Sequence, residues 1–190
     1  MPVSVDYKKA FDSVKPTKVW EALENQGLEK PFVDVLRERY TDCSTVFRPF
    51  CRNVVVAVGM GVRQGGPISP NLFTACLESV IRRCDWSGLE INIDGVRLSH
   101  LRFADDIVLI TGSPEHASEM LNLLDEKGSS CGLVINTSNT KVMRNPFPTS
   151  VPVLLKGSPI DDVEEYIYLG SQLNIENDFS GKLMRRRKAG

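Results

Sequence analysis

The chain has 190 residues, 42% of them hydrophobic and 25% charged, a composition that predicts one globular domain with a hydrophobic core rather than a disordered chain. Its formal net charge of -1 and pI near 6.2 give no sign of the broad basic face that is typical of nucleic-acid-binding proteins. The five cysteines indicate neither a disulfide framework nor a zinc site, and the two histidines form no metal-binding pair. No apolar run approaches the roughly 20 residues of a membrane span, and the N-terminus MPVSVDYKK lacks the long apolar stretch of a signal peptide. An intracellular, reduced protein of the nucleus or the cytoplasm is therefore predicted.

The first part of the chain alternates strands with amphipathic helices. The predicted elements are a strand at 3–5, helices at 16–27 and 31–40, and strands at 45–50 and 53–58. The polar break between the last two strands indicates a hairpin.

The second part of the chain is richer in hairpins. A core helix is predicted at 71–84, followed by two hairpins, 89–93 with 96–98 and 101–103 with 107–110. After them we expect a helix at 114–130, a strand at 133–135, strands and turns at 166–173, and a basic helical stretch at 182–188. Helices interleaved with hairpins indicate an α+β fold in which an antiparallel sheet is backed by helices on one side.

Two adjacent carboxylates, Asp105 and Asp106, lie between apolar strands at a predicted hairpin tip. Like charges side by side raise the free energy of ionising both, and a divalent cation would relieve that cost. Asp6 ends the first strand, and sheet pairing could bring it beside this tip as a third carboxylate, an oxygen ligand set that suits Mg²⁺. The alternative is that one aspartate caps the turn through its own backbone and the other faces solvent.

Five stretches of the sequence resemble motifs of the reverse transcriptases of non-LTR retrotransposons, in the family's order. Residues 6–12 (DYKKAFD), 63–73 (RQGGPISPNLF) and 103–106 (FADD) resemble three motifs of the polymerase palm. Residues 132–141 resemble the fourth motif, and the tripeptide Tyr168-Leu169-Gly170 resembles the primer grip.

The resemblance implies an RNA-directed DNA polymerase that transfers a nucleotide from a dNTP to the 3′ hydroxyl of a DNA primer on an RNA template. It implies two bound Mg²⁺ ions, with Mn²⁺ as the alternative ion, held by Asp6, Asp105 and Asp106 as the catalytic carboxylates. It also implies that Lys141 protonates or steadies the departing pyrophosphate. The oligomeric state is left open.

By the same resemblance, the incoming nucleotide is bound by Tyr7, Phe11, Arg63, Gln64 and Gly65. Phe11 falls where the family places an aromatic ring under the sugar, a position that disfavours a 2′ hydroxyl. Glycine in this stretch permits close approach of the backbone to a nucleotide or template.

Structural alternatives remain for several of these assignments. Phe11 also suits a core position at a strand-to-helix junction, residues 63–70 also suit a plain helix-entry loop, and Lys141 also suits a solvated surface. Asp12 is expected to cap the helix that follows it.

The resemblance divides the chain into a palm at 1–178 and the start of a thumb helix at 179–190. Because the family carries a fingers region before its first palm motif and Met1 lies five residues before Asp6, the fingers are expected to be missing and the thumb truncated. Whether the chain is an enzyme is therefore open. The alternatives are a catalytically inactive remnant that binds nucleic acid or a protein partner, and a divalent-metal phosphoesterase, which does not fit the 63–73 loop.

Overall fold

The computed structural model of the chain describes residues 1–144 and 151–174. These residues fall into two compact units. The first, named the sheet unit, comprises Met1–Tyr7, Cys84–Glu126 and the described residues from Ile135 onward; the second, named the helix unit, comprises Lys8–Arg83 and Lys127–Val134.

Five α-helices and thirteen strands are assigned in the described part of the chain. The helices are α1 (Ala10–Ser13), α2 (Pro16–Asn25), α3 (Lys30–Tyr40), α4 (Ser69–Arg82) and α5 (Pro114–Ser130). The strands are β1 (Pro2–Val5), β2 (Ser44–Phe47), β3 (Val54–Ala57), β4 (Ile91–Ile93), β5 (Val96–Leu98), β6 (His100–Phe103), β7 (Asp106–Ile110), β8 (Lys141–Val142), β9 (Leu154–Leu155), β10 (Ser158–Pro159), β11 (Asp161–Asp162), β12 (Glu165–Tyr168) and β13 (Ser171–Asn174).

The main sheet of the sheet unit has five strands in the order β11-β8-β1-β7-β6. All its pairings are antiparallel except that of β8 with β11, which is parallel. Val3 and Val5 of the central β1 are buried and alternate with the half-buried Pro2 and Ser4, as the two-residue period of a strand requires. Helices together with largely antiparallel sheets confirm the predicted α+β class.

Helix α5 contributes an apolar stripe to the core. Its Ala117, Met120, Leu121 and Leu124 are fully buried, and their spacing of three and four residues places them on one helical face. The neighbouring Asp125 is a carboxylate buried on the same helix, with 2% of its surface exposed.

In the helix unit, α2 packs against α3 and α4. Helix α4 contributes much of the core there through its buried side chains Leu72, Phe73, Cys76 and Leu77. The side-chain amide of Gln26, at the end of α2, donates a hydrogen bond to the Ala75 carbonyl at 2.8 Å. Strands β2 and β3 form the predicted hairpin, which is exposed along both strands.

The predicted strand at 133–135 is wrong. Only Ile135 forms an isolated bridge, with Tyr7, because the Leu133 amide donates to the Gly128 carbonyl at the end of α5 and continues that helix terminus. The basic stretch at 182–188 and the thumb segment at 179–190 lie outside the described residues.

The predicted helix cap at Asp12 is also wrong. Asp12 lies inside α1, and the cap positions of α1 and α2, Lys9 and Lys15, have no side-chain cap hydrogen bond. The Asp12 carboxylate accepts a hydrogen bond from Gln64 instead.

Within residues 1–144 and 151–174, every helix is too short or too polar to span a lipid bilayer.

Candidate functional site

The β6–β7 hairpin places the two adjacent aspartates at different points of its tip. Phe103 pairs with Asp106, so the turn consists of Ala104 and Asp105 alone, and Asp106 is already the first residue of β7. The sequence predicts a longer turn that includes Asp106, and the structure corrects this, because Asp106 is paired with Phe103. Because side chains alternate along a strand, entry into β7 fixes the face on which Asp106 lies.

Asp6 lies at the end of β1, next to this hairpin. Val5 pairs with Ile107, so continuation of the same antiparallel register brings Asp6 beside Asp106. Partial burial and the neighbouring carboxylates of Asp105 and Asp6 raise the pKa of Asp106. The predicted proximity of Asp6 to the hairpin tip is therefore present in the sheet unit.

Asp6 is also held by the segment that follows α5. The side-chain amides of Asn136 and Asn139 both donate to Oδ2 of Asp6, at 2.8 and 3.0 Å. The Asn136 backbone amide donates to the Asp6 carbonyl at 2.7 Å, and the Asp6 amide donates to Oγ1 of Thr140 at 3.3 Å. Neither asparagine was recognised from the sequence, because their contact with Asp6 spans 130 and 133 residues.

The chemistry of these carboxylates fits a hard divalent cation, which prefers oxygen ligands. Burial and the negative charges of Asp105 and Asp6 raise the free energy of ionised Asp106, and a bound divalent cation would lower it. Within residues 1–144 and 151–174, no group of three or more His, Cys, Asp or Glu side chains is arranged so that it could hold a metal ion by itself. Magnesium usually takes one or two protein carboxylates and completes its coordination with water and substrate phosphates, so a partial ligand set is compatible with it.

Lys141 and the β12–β13 hairpin belong to the same unit as the three carboxylates. The Lys141 ammonium forms an ion pair with Oδ2 of Asp161 at 2.7 Å. Burial, followed by the charge of Asp106, raises the pKa of Tyr168, so the phenol lies within electrostatic reach of Asp106. Leu169 and Gly170 form the turn that joins the two strands.

The helix unit brings Phe11 together with three other residues predicted to bind a nucleotide. A cavity of about 340 Å³ is lined by Phe11, Arg63, Gln64 and Gly65, together with the first turn of α4. The Phe11 ring stacks on Phe73, with centroids 4.5 Å apart and planes inclined by 21°. Phe11 is half-buried, so it both packs on the core and borders the cavity.

Arg63 and Gln64 are anchored by contacts within the helix unit. The Gln64 amide donates to Oδ1 of Asp12 at 2.6 Å. The Arg63 guanidinium donates to the Arg39 carbonyl at 2.8 Å and lies 5.5 Å from the centre of the Tyr40 ring. The loop that carries Arg63 and Gln64 is therefore held in place by side-chain contacts within the helix unit.

Tyr7 is placed differently from the other predicted nucleotide-binding residues. Its side chain is buried, with 6% of its surface exposed, and its backbone pairs with Ile135 in the sheet unit. A nucleotide contact of Tyr7 stays a prediction, and in this structure the ring belongs to the core.

Two relatives that are similar to this chain in sequence come from transposable elements. A transposon-derived protein of Caenorhabditis elegans is 48% identical over 104 residues, covering 52% of this chain and 37% of that protein. The Pol polyprotein of retrotransposable element R2 from Popillia japonica is 31% identical over 111 residues, covering 57% of this chain and 16% of that protein. The chain thus spans only a fraction of these relatives.

Among solved structures, apo telomerase of Candida tropicalis has the same fold over 92% of this chain and 34% of its own, with a TM-score of 0.60 at 15% identity. Telomerase of Candida albicans, solved in complex with a fragment of telomeric RNA, gives a TM-score of 0.52 over 91% of this chain and 29% of its own. The sequence profile of reverse transcriptase (RNA-dependent DNA polymerase) matches residues 1–173. The chain belongs to that family, and is of the kind found in non-LTR retrotransposons.

Proposed function

We propose that the chain provides a site for template-directed nucleotidyl transfer. The 3′ oxygen of a DNA primer attacks the α-phosphate of a dNTP, a new phosphodiester bond forms, and pyrophosphate leaves. The observation that carries this proposal is the placement of Asp105 and Asp106 at a hairpin tip with Asp6 in the adjoining strand register. Membership of the reverse transcriptase family supports it.

Asp6, Asp105 and Asp106 are the residues that would hold the divalent cations. Two such cations, when bound, lower the pKa of the attacking hydroxyl and stabilise the charge on the leaving group. Mg²⁺ is the proposed ion, with Mn²⁺ as a substitute. The chain's own contribution is to hold negative oxygen ligands in a fixed position on a sheet.

The cavity beside Phe11 is the proposed place for the sugar of the incoming nucleotide. Stacking on Phe73 restrains the Phe11 ring, so an added 2′ hydroxyl would meet a side chain that cannot easily move aside. The backbone at Gly65 allows close approach of a nucleotide or template, because glycine lacks a Cβ. Gln64, held by Asp12, is placed to hydrogen-bond there.

The remaining predicted roles belong to residues of the sheet unit. Lys141 would exchange its ion pair with Asp161 for the departing pyrophosphate, to which an ammonium can give a proton or charge stabilisation. Tyr168, Leu169 and Gly170 would support the primer. The proposed partners are an RNA template and a DNA primer, and the telomeric RNA bound by the Candida albicans relative supports a nucleic-acid partner.

Primer extension tests the proposed function. The 190-residue chain is incubated with a labelled DNA primer annealed to an RNA template, dNTPs, and Mg²⁺ or Mn²⁺. Extension by the parent chain and its loss in Asp105→Asn are expected. Asp94→Asn is the matched control, because Asp94 occupies the tip of a different hairpin, β4–β5, and extension should be unchanged.

Two results would count against the proposal. Extension that survives Asp105→Asn would show that this carboxylate takes no part in the reaction. Salt-dependent binding of the primer-template without any extension in either metal would favour the binding-only alternative.

A further inference from the structure

Asn136 and Asn139 bind one particular oxygen of Asp6. Both amides donate to Oδ2, at 2.8 and 3.0 Å, and neither hydrogen bond is made to Oδ1. A carboxylate that accepts two hydrogen bonds on one oxygen cannot rotate about its terminal bond without breaking both. The two amides therefore fix the direction in which Oδ1 points.

The backbone of the same segment holds Asp6 in place as well. The Asn136 amide and the Thr140 hydroxyl bind the Asp6 carbonyl and amide, so the main chain of Asp6 is fixed on both sides. Hydrogen bonds to an ionised carboxylate are shorter and stronger than those between neutral groups. This clamp, defined as Asn136, Asn139 and Thr140, thus orders both the backbone and the side chain of Asp6.

The clamp is anchored in the core of the sheet unit. Asp125, only 2% exposed, accepts a hydrogen bond from the Ile135 amide at 3.4 Å, immediately before Asn136. The other Asp125 oxygen lies 2.5 Å from the Lys156 ammonium, in an ion pair rather than a directed hydrogen bond. Ile135 and Thr140 are themselves buried. The asparagines therefore project from a segment that is held at both ends.

We propose that Asn136 and Asn139 are positioning residues that make Asp6 a one-oxygen ligand, with Oδ2 held by the protein and Oδ1 presented to a divalent cation. The inference rests on the proposed function, because it assumes that Asp6 binds the cation. Residues that orient a metal ligand typically change metal affinity about 10- to 100-fold when they are removed, although they never touch the metal.

The opposite possibility is that the amides compete with the cation for Asp6. Removal of an asparagine would then free a carboxylate oxygen, and the cation would bind more tightly. The two accounts differ in the sign of the change in affinity, so a direct binding measurement separates them.

The experiment measures Mn²⁺ binding to the full 190-residue chain by the electron paramagnetic resonance signal of free Mn²⁺, without substrate. Asn136→Ala and Asn139→Ala are each expected to weaken binding about tenfold. Ser138→Ala is the matched control, since Ser138 is an exposed residue of the same loop, and its affinity should equal that of the parent. Circular dichroism checks that each variant folds.

Each outcome bears on the inference. Unchanged or tighter Mn²⁺ binding in folded Asn139→Ala overturns it, and this variant carries the test if Asn136→Ala fails to fold, since Asn139 is exposed. Failure of the parent chain to bind Mn²⁺ without substrate overturns the inference, whereas the proposed function is tested separately by primer extension with substrate present. Normal Mn²⁺ binding by the parent that is lost in Asp105→Asn, together with parent-like binding in both asparagine variants, overturns the inference alone.

Discussion

The environment of Asp106 disfavours the negative charge of its carboxylate. Its pKa is raised above the ordinary value of 3.8 by partial burial, by Asp105 and by Asp6. The folded state therefore binds the proton more tightly than the unfolded state. The free energy of unfolding falls as pH rises from the ordinary pKa of the unfolded state through the higher pKa of the folded state. Above the folded-state pKa, the whole loss of stability due to the ionised Asp106 is present.

We expect Asp106→Asn to be more stable than the parent chain at pH 7 in the presence of EDTA. The gain should not exceed about 1 kcal/mol, because the carboxylate is largely in solvent and its repulsions are screened. Urea unfolding at pH 7 and pH 3.5 measures it, and the difference should shrink at the lower pH. A variant less stable than the parent at pH 7 would show that the carboxylate has a stabilising partner.

At the residue scale, the sequence predicted the acidic ligands but not the groups that hold them. Asp105 and Asp106 are recognisable because two adjacent carboxylates at a hairpin are chemically unusual. Asn136 and Asn139 are ordinary loop residues in isolation, and only strand pairing between distant segments brings them to Asp6. Asp12 was misassigned for a related reason, since its partner Gln64 is 52 residues away.

At the scale of elements, the loop before α4 packs closely on α1. The amide of Gly61 donates to the Val14 carbonyl at 2.7 Å, and a Cβ at position 61 would lie 2.8 Å from both the Phe11 carbonyl oxygen and Cα of Asp12. Gly61 also has a φ of +82°, which side-chain-bearing residues rarely adopt. Position 61 therefore requires glycine for two reasons: a Cβ would clash with the backbone of α1, and the positive φ is unfavourable for other residues.

Gly61→Ala should destabilise the chain by more than about 2 kcal/mol, since it adds a steric clash to the cost of a left-handed conformation. Gly65→Ala separates the two causes: its φ is +78° but the space around it is open, so about 1–2 kcal/mol is expected. Gly59→Ala, with neither constraint, should change stability by less than about 0.5 kcal/mol. Equal losses in urea unfolding for Gly61→Ala and Gly65→Ala would contradict the close contact.

The ion pair between Lys156 and Asp125 links the β9–β10 turn to α5. Lys156→Met should destabilise the chain by about 1–3 kcal/mol, because it leaves the Asp125 carboxylate buried without its cation. Lys18→Met is the control, since Lys18 pairs with the exposed Glu21 and its loss should cost less than about 0.5 kcal/mol. Thermal or urea unfolding compares them, and similar small losses would show that Asp125 is adequately solvated.

Elements whose signals are local were predicted well, whereas those that depend on distant partners were not. The hairpin at Asp94-Gly95 and the helix at 114–130 follow from turn chemistry and helical spacing, and both are present. The strand predicted at 133–135 has suitable apolar residues, but its backbone groups are used by the end of α5 and by an isolated bridge. Apolar composition alone does not show where backbone hydrogen bonds go.

At the scale of the whole molecule, bulk composition and motif order pointed in different directions. A net charge of -1 gave no sign of a nucleic-acid partner, whereas the order of five motifs identified the family that the comparisons confirm. The division into a sheet unit and a helix unit was not predicted, because each is assembled from separate stretches of the chain. The periodic pattern of apolar residues predicts individual helices and strands, but it does not show which distant stretches of the chain pack together.

Single-nucleotide addition tests the proposed function most directly, with each of the four dNTPs supplied separately to the chain on a DNA primer and an RNA template of known next base. Template-directed transfer at this site predicts that the complementary dNTP alone is added, that addition requires Mg²⁺ or Mn²⁺, and that Asp105→Asn abolishes it while Asp94→Asn does not. Addition without regard to the template base, or no addition by the parent chain in either metal, would contradict it.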